Sequence, residues 1–298
     1  MNKKIYFVYK YNFRVIEDYL NSLNIFHGYI EIADIDKYIN SYDIFIFGQL
    51  WLDKQSDLFY KQNNMFFLNV EHLTEQTRMD HIVTHIKNNL PILDYSWSNI
   101  LLLKEYIKIN KIVYTSPILL LPYQFNSLET HILKNTTNDY EYDVGIINAT
   151  IKKDVSVNNN IIYKRNLIWD KLQDKKWKSI NILGWGRDRD LIIKKCKIII
   201  NVHLFDVYNI FEHIRCDRLL FANKLVISDK CLFQDSLDIK DYVIWEDYDT
   251  ILETTEALLD KFDVLSVNKD VIPLINNRKN ILQTSLTKIL NTTYRENC

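Results

Sequence analysis

Short, almost wholly apolar runs alternate with longer amphipathic stretches along most of this chain. The runs at 4–9 (KIYFVY), 43–47 (DIFIF) and 65–70 (MFFLNV) are rich in aromatic and β-branched residues. Near-continuous apolarity is typical of strands that are buried on both faces, as in a parallel sheet covered by helices. The alternation therefore predicts an α/β protein built from parallel sheets.

The same pattern sets the expected bounds of the elements. In the first half we expect strands over 4–9, 29–32, 43–47, 65–70, 91–94 and 111–114, and helices over 15–23, 74–88 and 96–108. In the second half we expect strands over 143–147, 179–183, 197–202, 225–228 and 243–245, and helices over 165–173, 188–195, 210–221, 250–262 and 271–290. The pattern thus predicts two α/β units of similar size, in tandem.

The most polar, turn-forming stretch near the middle of the chain is 135–139 (NTTND), and we place the domain boundary there. We expect an N-terminal domain over 1–125, a linker over 126–141, a C-terminal domain over 142–270 and a last helical segment over 271–298. A chain of 298 residues is long enough for two such domains.

Charge and composition exclude several classes of protein. The 37 Lys and Arg residues nearly balance the 38 Asp and Glu residues, so the chain lacks the basic excess of nucleic-acid-binding domains, and nucleic acid is not expected as its main partner. The four cysteines form no CxxC pair, which argues against a zinc or dithiol site. No apolar run approaches the length of a membrane span, and we expect a cytoplasmic protein.

Polar and glycine residues follow the strands predicted in the second half. Parallel sheets bind ligands at the carboxyl ends of their strands. The residues at these positions are Lys164, Arg165, Gly184, Trp185, Arg187, His203 and Glu212. A helix N-terminus with Lys or Arg beside it stabilises a diphosphate, which makes Lys164 and Arg165 candidates for an anion site.

The order of these motifs resembles the nucleotide-binding half of GT-B glycosyltransferases, in particular short glycosyltransferase 1-like and family 4-like proteins. The matching residues are YDVGI (142–146), KR (164–165), LGWG (183–186), KIIINVH (197–203) and FEHIR (211–215). In the first half, NVEHL (69–73), LDYS (93–96) and LPY (121–123) look like turns of the same proteins.

The resemblance implies a fold and an activity. The fold would be GT-B, two Rossmann-like domains whose parallel sheets face a central cleft, with the last helix packing back towards the N-terminal domain. The activity would be hexosyltransferase-like: metal-independent transfer of a sugar from a nucleotide-sugar, UDP- or GDP-linked, to an unidentified glycan, protein or small molecule. No cofactor and no metal site would be needed.

The resemblance also implies roles for single residues. Donor-binding residues would be Gly145, Lys164, Arg165, Gly184, Trp185, Arg187, His203 and Glu212. Glu212 would accept hydrogen bonds from the ribose hydroxyls, and the other acidic residue of the family's pair would fall at Leu204. An inverting enzyme also needs a base on the acceptor side, for which the strand-end residues Asp94, Glu71 and His72 are the candidates.

Each of these residues also has a purely structural interpretation. Glu212 and Arg215 have the spacing of a surface ion pair, and Lys164–Arg165 that of a solvated helix start. Trp185 is as well suited to covering a domain edge as to stacking on a base. His203 can equally form a hydrogen bond to the backbone at the edge of the core. Asp94, Glu71 and His72 can all be structural.

Further patterns have the form of known sites but are expected to arise by chance. Asp34–Asp36 and Asp188–Asp190 have the DxD spacing of metal-dependent transferases, and His81 and His85 lie four apart on a predicted helix, where we expect a half-exposed face. Two other functions remain open: a nucleotide-sugar-binding module without turnover, favoured by Leu204, and a transferase acting on modified DNA bases.

Overall fold

A computed structural model of the chain describes residues 3–10, 16–38, 43–48, 64–135, 139–147, 164–184, 186–262 and 269–291. The chain forms two compact units. Unit 1 comprises Met1–Gln124 and Asn276–Cys298, and unit 2 comprises Phe125–Ile275.

Unit 1 is built on a six-stranded parallel sheet. Its strands are β1 (Ile5–Tyr9), β2 (Gly28–Glu31), β3 (Ile44–Gly48), β4 (Met65–Asn69), β5 (Ile92–Asp94) and β6 (Ile118–Leu120), in the order β2-β1-β3-β4-β5-β6. Its first helices are α1 (Glu17–Leu23), α2 (Gln76–Lys87) and α3 (Trp97–Ile109), and a 3-10 turn covers Ile32–Lys37.

Burial on both faces explains why the central strands of unit 1 are apolar up to Asn69, the last residue of β4. Every residue of β3 and β4 is buried, and Phe47 and Phe67 stack across these neighbouring strands with ring centroids 5.9 Å apart. His85 of α2 is buried on the same side and stacks on Phe67 at 3.9 Å, so the expected half-exposed face is wrong at this residue. Burial lowers the pKa of His85 to about 4.

The strand predicted over 111–114 is wrong. Lys111 takes a left-handed conformation (φ 52°) at the end of α3, and the Ile112 amide donates to Ile107 O, which closes the helix instead of starting a strand. Ile112 and Tyr114 pack on the core from a loop, whereas Val113 is exposed. β6 follows four residues after Tyr114.

Unit 2 is built on a five-stranded parallel sheet. Its strands are β7 (Tyr142–Ile147), β8 (Ser179–Ile182), β9 (Cys196–Asn201), β10 (Leu225–Asp229) and β11 (Ile244–Glu246), in the order β11-β10-β9-β7-β8. Its helices are α4 (Ser127–Leu133), α5 (Lys164–Gln173), α6 (Gly186–Lys194), α7 (His213–Phe221) and α8 (Ile251–Leu259), with a 3-10 turn at Gln234–Ser236.

The stretch expected as a linker contains α4. Asn126 caps this helix by accepting hydrogen bonds from the amides of Leu128 and Glu129. Glu129 then pairs with the buried Arg218 of α7 at 3.1 Å. This part of the stretch is therefore an ordered element of unit 2.

The last helix, α9 (Ile272–Asn291), belongs to unit 1 from residue 276 onwards. Arg278 Nη1 donates to Tyr123 O at 3.2 Å, and Ser285 Oγ donates to Leu120 O at 2.7 Å. These bonds hold the helix beside the end of β6.

The predicted fold class is confirmed in both units. Each has a parallel sheet with buried strands joined through helices, which is the Rossmann-like α/β layering of GT-B domains. Among the described residues, no helix combines the length and the apolar composition that a membrane crossing requires.

Candidate functional site

The charged cluster of unit 2 lies at the carboxyl edge of its sheet. Because the strands are parallel, the ends of β9 and β10 bring Asn201 and Ser228 together, and Asn201 Nδ2 donates to Ser228 Oγ at 2.9 Å. Lys164 and Arg165 open α5, which follows β7, and Glu212 immediately precedes α7, which follows β9. Most of the predicted donor residues thus lie at one edge of one sheet.

Two arginines share the carboxylate of Glu212. Arg165 Nη2 lies 2.7 Å from Glu212 Oε1, and Arg165 Nε donates to Val202 O at 2.6 Å. Arg215 Nη1 lies 3.5 Å from the same Oε1 and 3.3 Å from Asn201 Oδ1. The side chain of Arg165 is only 3% exposed, whereas those of Glu212 and Arg215 are each 18% exposed.

The electrostatics of this cluster favour an anion. Burial and the positive charge of Arg215 lower the pKa of Arg165 to about 10, against the opposing effect of the Glu212 carboxylate. One carboxylate thus faces two guanidinium groups. A half-buried group of charges with an excess of positive charge is stabilised by a negatively charged ligand.

Lys164 adds a third cation at the same edge. Its Nζ lies 2.7 Å from Asp206 Oδ1 and 3.9 Å from Asp229 Oδ2, and it stands over the ring of Tyr248 at 4.9 Å. Its side chain is 19% exposed, and its partner Asp206 is mostly exposed. The ammonium is therefore held in place but remains within reach of a ligand.

His203 belongs to the framework of this edge. It is buried, its Nε2 donates to Ile210 O at 3.0 Å, and its Nδ1 lies 2.6 Å from Asp229 Oδ1. Its backbone amide also donates to Asp229 Oδ1, at 3.1 Å. The expectation that the His203 ring binds the donor is corrected, because both ring nitrogens already face acceptors inside the protein.

The predicted glycines divide into two kinds. Gly145 lies inside β7, where an added Cβ would come within 2.7 Å of Ile182 Cδ1 and 2.8 Å of Cys196 Sγ, so it is a packing residue and not a donor-binding one. Gly184 and Gly186 have φ angles of 88° and 64°, and a Cβ on either would meet open space. Gly186 opens α6 and is followed by the exposed Arg187. Trp185 lies outside the described residues.

In unit 1 the three candidate bases differ in access. Asp94 ends β5, is completely buried and accepts hydrogen bonds from Asn69, Asn99 and two backbone amides. Burial raises its pKa to about 7, while these hydrogen bonds act to lower it. His72 is also buried. Glu71 follows β4, pairs with Arg78 of α2 and has a side chain 22% exposed, so of the three it has the best access to a ligand.

One aspartate of each DxD pattern contacts a basic side chain of the protein. Asp190 is buried and bound by Arg218 and Arg189, and Asp34 pairs with Lys37 at 2.5 Å. The other two, Asp36 and Asp188, are exposed. Within the described ranges, no group of three or more His, Cys, Asp or Glu side chains has the arrangement of a metal site.

Sequence reasoning assigned no role to two polar residues at the two edges, Asn201 and Asn99. Asn201 accepts a hydrogen bond from Arg215 and so joins the cluster around Glu212, although it lies in the KIIINVH motif. The ion pair expected between Glu212 and Arg215 is present, at 3.5 Å. Asn99 lies in the first turn of α3 and bonds to Asp94, five residues earlier. A buried polar residue directly after a predicted helix start is the signal that would have marked it.

Comparisons with known proteins give relatives in a virus. No family model matches the chain. Uncharacterized protein L140 of Acanthamoeba polyphaga mimivirus is 30% identical over 260 residues, which cover 84% of this chain and 77% of L140. Uncharacterized protein L137 of the same virus is 33% identical over 250 residues, 82% of this chain but only 31% of L137.

Among solved structures, the chain is similar in fold to a variant of the wall teichoic acid polymerase TagF. It is 10% identical, has a TM-score of 0.36, and the alignment covers 96% of this chain and 89% of TagF. A similarity at this level carries no information about substrate or activity.

Proposed function

The chain belongs to the family of the mimivirus protein L140, and we propose that it is a glycosyltransferase that moves a sugar from a nucleotide-sugar to an acceptor. The observation that supports this most is the sharing of one carboxylate, Glu212, by Arg165 and Arg215 at the carboxyl edge of a Rossmann-like sheet. The motif order of the sequence adds support for a nucleotide-sugar ligand, UDP- or GDP-linked.

In this proposal the donor diphosphate binds to Lys164 and Arg215. Both side chains are partly exposed, and both lie at the carboxyl edge where parallel sheets bind nucleotides. Charge-assisted hydrogen bonds from these groups stabilise the negative charge that develops as the diphosphate leaves. Arg187, exposed after the glycine turn, supplies a further cation at this edge. These cations take the place of a divalent metal.

Arg165 has a different role from the one its motif predicts. It is buried between Val202 O and Glu212, so it orients Glu212 and does not present a free fork to phosphate. Glu212 retains an exposed fraction and can accept hydrogen bonds from the vicinal hydroxyls of a ribose. Arg165 is thus a positioning residue for the nucleoside part of the donor.

The acceptor binds to unit 1, where Glu71 is the candidate base. As the acceptor hydroxyl oxygen forms its bond to the sugar anomeric carbon, the bond from that carbon to the diphosphate breaks and the diphosphate leaves with the electron pair. The Glu71 carboxylate takes the proton of the hydroxyl.

A donor panel tests the proposal. Thermal shift with UDP-, GDP-, TDP- and CMP-sugars is expected to show stabilisation by one of the first two, because a ligand that binds the folded state raises the melting temperature. Release of free nucleoside diphosphate then measures turnover. Arg215→Gln is expected to weaken donor binding, while Lys195→Gln, at the amino end of β9, is the matched control. A chain stabilised by none of the four donors would contradict the proposal.

A second candidate function is donor binding without turnover. Position 204 carries Leu where the resembling enzymes have an acidic residue, and only its backbone oxygen is engaged, with the Lys164 amide at 3.2 Å. Donor binding with no release of nucleoside diphosphate, in the presence of any acceptor tried, would favour this function over transfer.

A further inference from the structure

Three buried polar residues form a hydrogen-bonded network at the carboxyl ends of β4 and β5. Asn69 ends β4, Asp94 ends β5, and Asn99 lies in the first turn of α3; all three are completely buried. Asn69 Nδ2 donates to Asp94 Oδ2 at 2.6 Å, and Asn99 Nδ2 donates to Asp94 Oδ1 at 3.1 Å. Each carboxylate oxygen therefore receives one asparagine amide.

The same two asparagines hold the backbone that follows β4. Both Nδ2 groups donate to Glu71 O, at 3.0 Å from Asn69 and 2.8 Å from Asn99. Asn69 Oδ1 accepts the Glu71 amide at 3.0 Å, and Asn99 Oδ1 accepts the Leu73 amide at 3.1 Å. Since an amide nitrogen carries two hydrogens, both NH2 groups are fully used.

The carboxylate helps to fix which way the two amides point. A buried asparagine can exchange the places of its oxygen and nitrogen by rotation, and a partner that accepts and never donates holds the NH2 on its own side. The Glu71 carbonyl is one such partner, and the backbone amides of Glu71 and Leu73 hold the two oxygens. The ionised form of Asp94 is the further acceptor that both NH2 groups share. The Ser96 amide, which donates to Asp94 Oδ1 at 2.8 Å, holds the carboxylate itself.

We propose that Asp94 is a positioning residue which, through Asn69 and Asn99, fixes the backbone of Glu71 so that the Glu71 side chain meets the acceptor. Asp94 is completely buried, whereas the Glu71 side chain is partly exposed and paired with Arg78. The role of Glu71 as a base rests on the proposed function. The network that holds its backbone does not depend on that function. Asp94 itself takes no proton from the acceptor.

Amide hydrogen exchange tests the structural part without any substrate. Asp94→Asn replaces one carboxylate oxygen by an NH2 group, which faces the NH2 groups of Asn69 and Asn99 and cannot accept from them. The two asparagines then hold the backbone less firmly, and the amides of Glu71 and Leu73 are expected to exchange about tenfold faster or more. Asn99→Ala is the second variant: it removes the acceptor of the Leu73 amide but keeps that of Glu71, so Leu73 loses more protection than Glu71. Asp80→Asn, exposed on α2, is the matched control and leaves both amides unchanged. Unchanged exchange in Asp94→Asn and Asn99→Ala would overturn the proposal.

Turnover tests the positioning role, using the donor found in the panel. Asp94→Asn is expected to lower kcat about tenfold or more with the KM for the donor unchanged, because the donor binds to unit 2. Glu71→Gln is expected to abolish turnover while the Glu71 and Leu73 amides stay protected. Loss of protection in Asp94→Asn with an unchanged kcat would overturn the positioning role. A wild-type chain without turnover contradicts the proposed function, and the exchange experiment still decides the network.

Discussion

Arg165 and Glu212 are bound to each other, with Arg165 Nη2 lying 2.7 Å from Glu212 Oε1. The sequence assigns the first to a diphosphate and the second to a ribose, and the structure joins them in one ion pair. Because Arg165 is buried and also bonded to Val202 O, the pair is part of the fold. The proposed anion site therefore depends on the two more accessible cations, Lys164 and Arg215.

Substitution of Arg165 is expected to destabilise unit 2 before it affects any ligand. Arg165→Lys should lower the free energy of unfolding by about 1–3 kcal/mol, since an ammonium cannot reach both Val202 O and Glu212. Arg165→Ala should lower it by about 3–5 kcal/mol, because it removes one partner of a buried ion pair. Urea denaturation measures both, with Lys195→Gln as a control expected to stay within about 0.5 kcal/mol of wild type. Wild-type stability in both Arg165 variants would show that the Arg165–Glu212 pair does not stabilise the fold.

The fold class could be predicted from the sequence because strands that are buried on both faces are continuous runs of apolar residues. IFIFG and the first four residues of MFFLN are apolar, and every residue of both strands is buried. The 111–114 stretch carries apolar residues for a different reason, since Ile112 and Tyr114 pack from a loop after the left-handed turn at Lys111. Local periodicity cannot separate these two cases.

The site was predictable only in part. Motif order marks the positions of Lys164, Arg165 and Glu212, but the pairing of residues 47 apart is a property of the tertiary structure. The same holds for Asn69 and Asn99, which are polar residues inside a core. Their burial is tolerated because Asp94 and the backbone of the β4–α2 loop satisfy every hydrogen bond of the two amides.

Two glycine variants separate packing from ligand access. Gly145→Ala is expected to lower the free energy of unfolding by about 1–3 kcal/mol, because its methyl group meets Ile182 and Cys196, and to leave donor affinity unchanged. Gly184→Ala is expected to cost about 1 kcal/mol through its left-handed backbone and to weaken donor binding as well. Urea denaturation and titration calorimetry measure the two effects. A loss of donor affinity in Gly145→Ala alone would reverse these assignments.

The buried carboxyl of Asp94 is expected to make stability depend on pH. Its pKa is raised to about 7 by burial, so between about pH 4 and 7 the folded state keeps a proton that the unfolded state has released. The ionised form, which accepts from Asn69 and Asn99, predominates above that window. The free energy of unfolding contributed by this group therefore falls as pH rises through that window, by at most about 1.4 kcal/mol per pH unit.

Asp94→Asn removes this dependence and provides the comparison. Urea denaturation of both proteins at several pH values between about 4 and 8 gives the difference in their unfolding free energies. That difference should shift in favour of the variant as pH rises, even if the variant is the less stable protein throughout. Parallel curves for the two proteins would show that Asp94 is ionised across the whole window.

Sugar transfer is expected to continue after metal removal, because Lys164 and Arg215 supply the positive charge that the leaving diphosphate needs. Excess EDTA should leave turnover unchanged, while Arg215→Gln should lower it about tenfold or more whether or not Mn²⁺ is added. Lys195→Gln again serves as the control for loss of a positive charge. Turnover abolished by EDTA and restored by Mn²⁺ would refute this account. Asp190 would still be bound to Arg218 in that case, which leaves Asp188 as the exposed acidic residue of the second DxD pattern to be tested as a ligand.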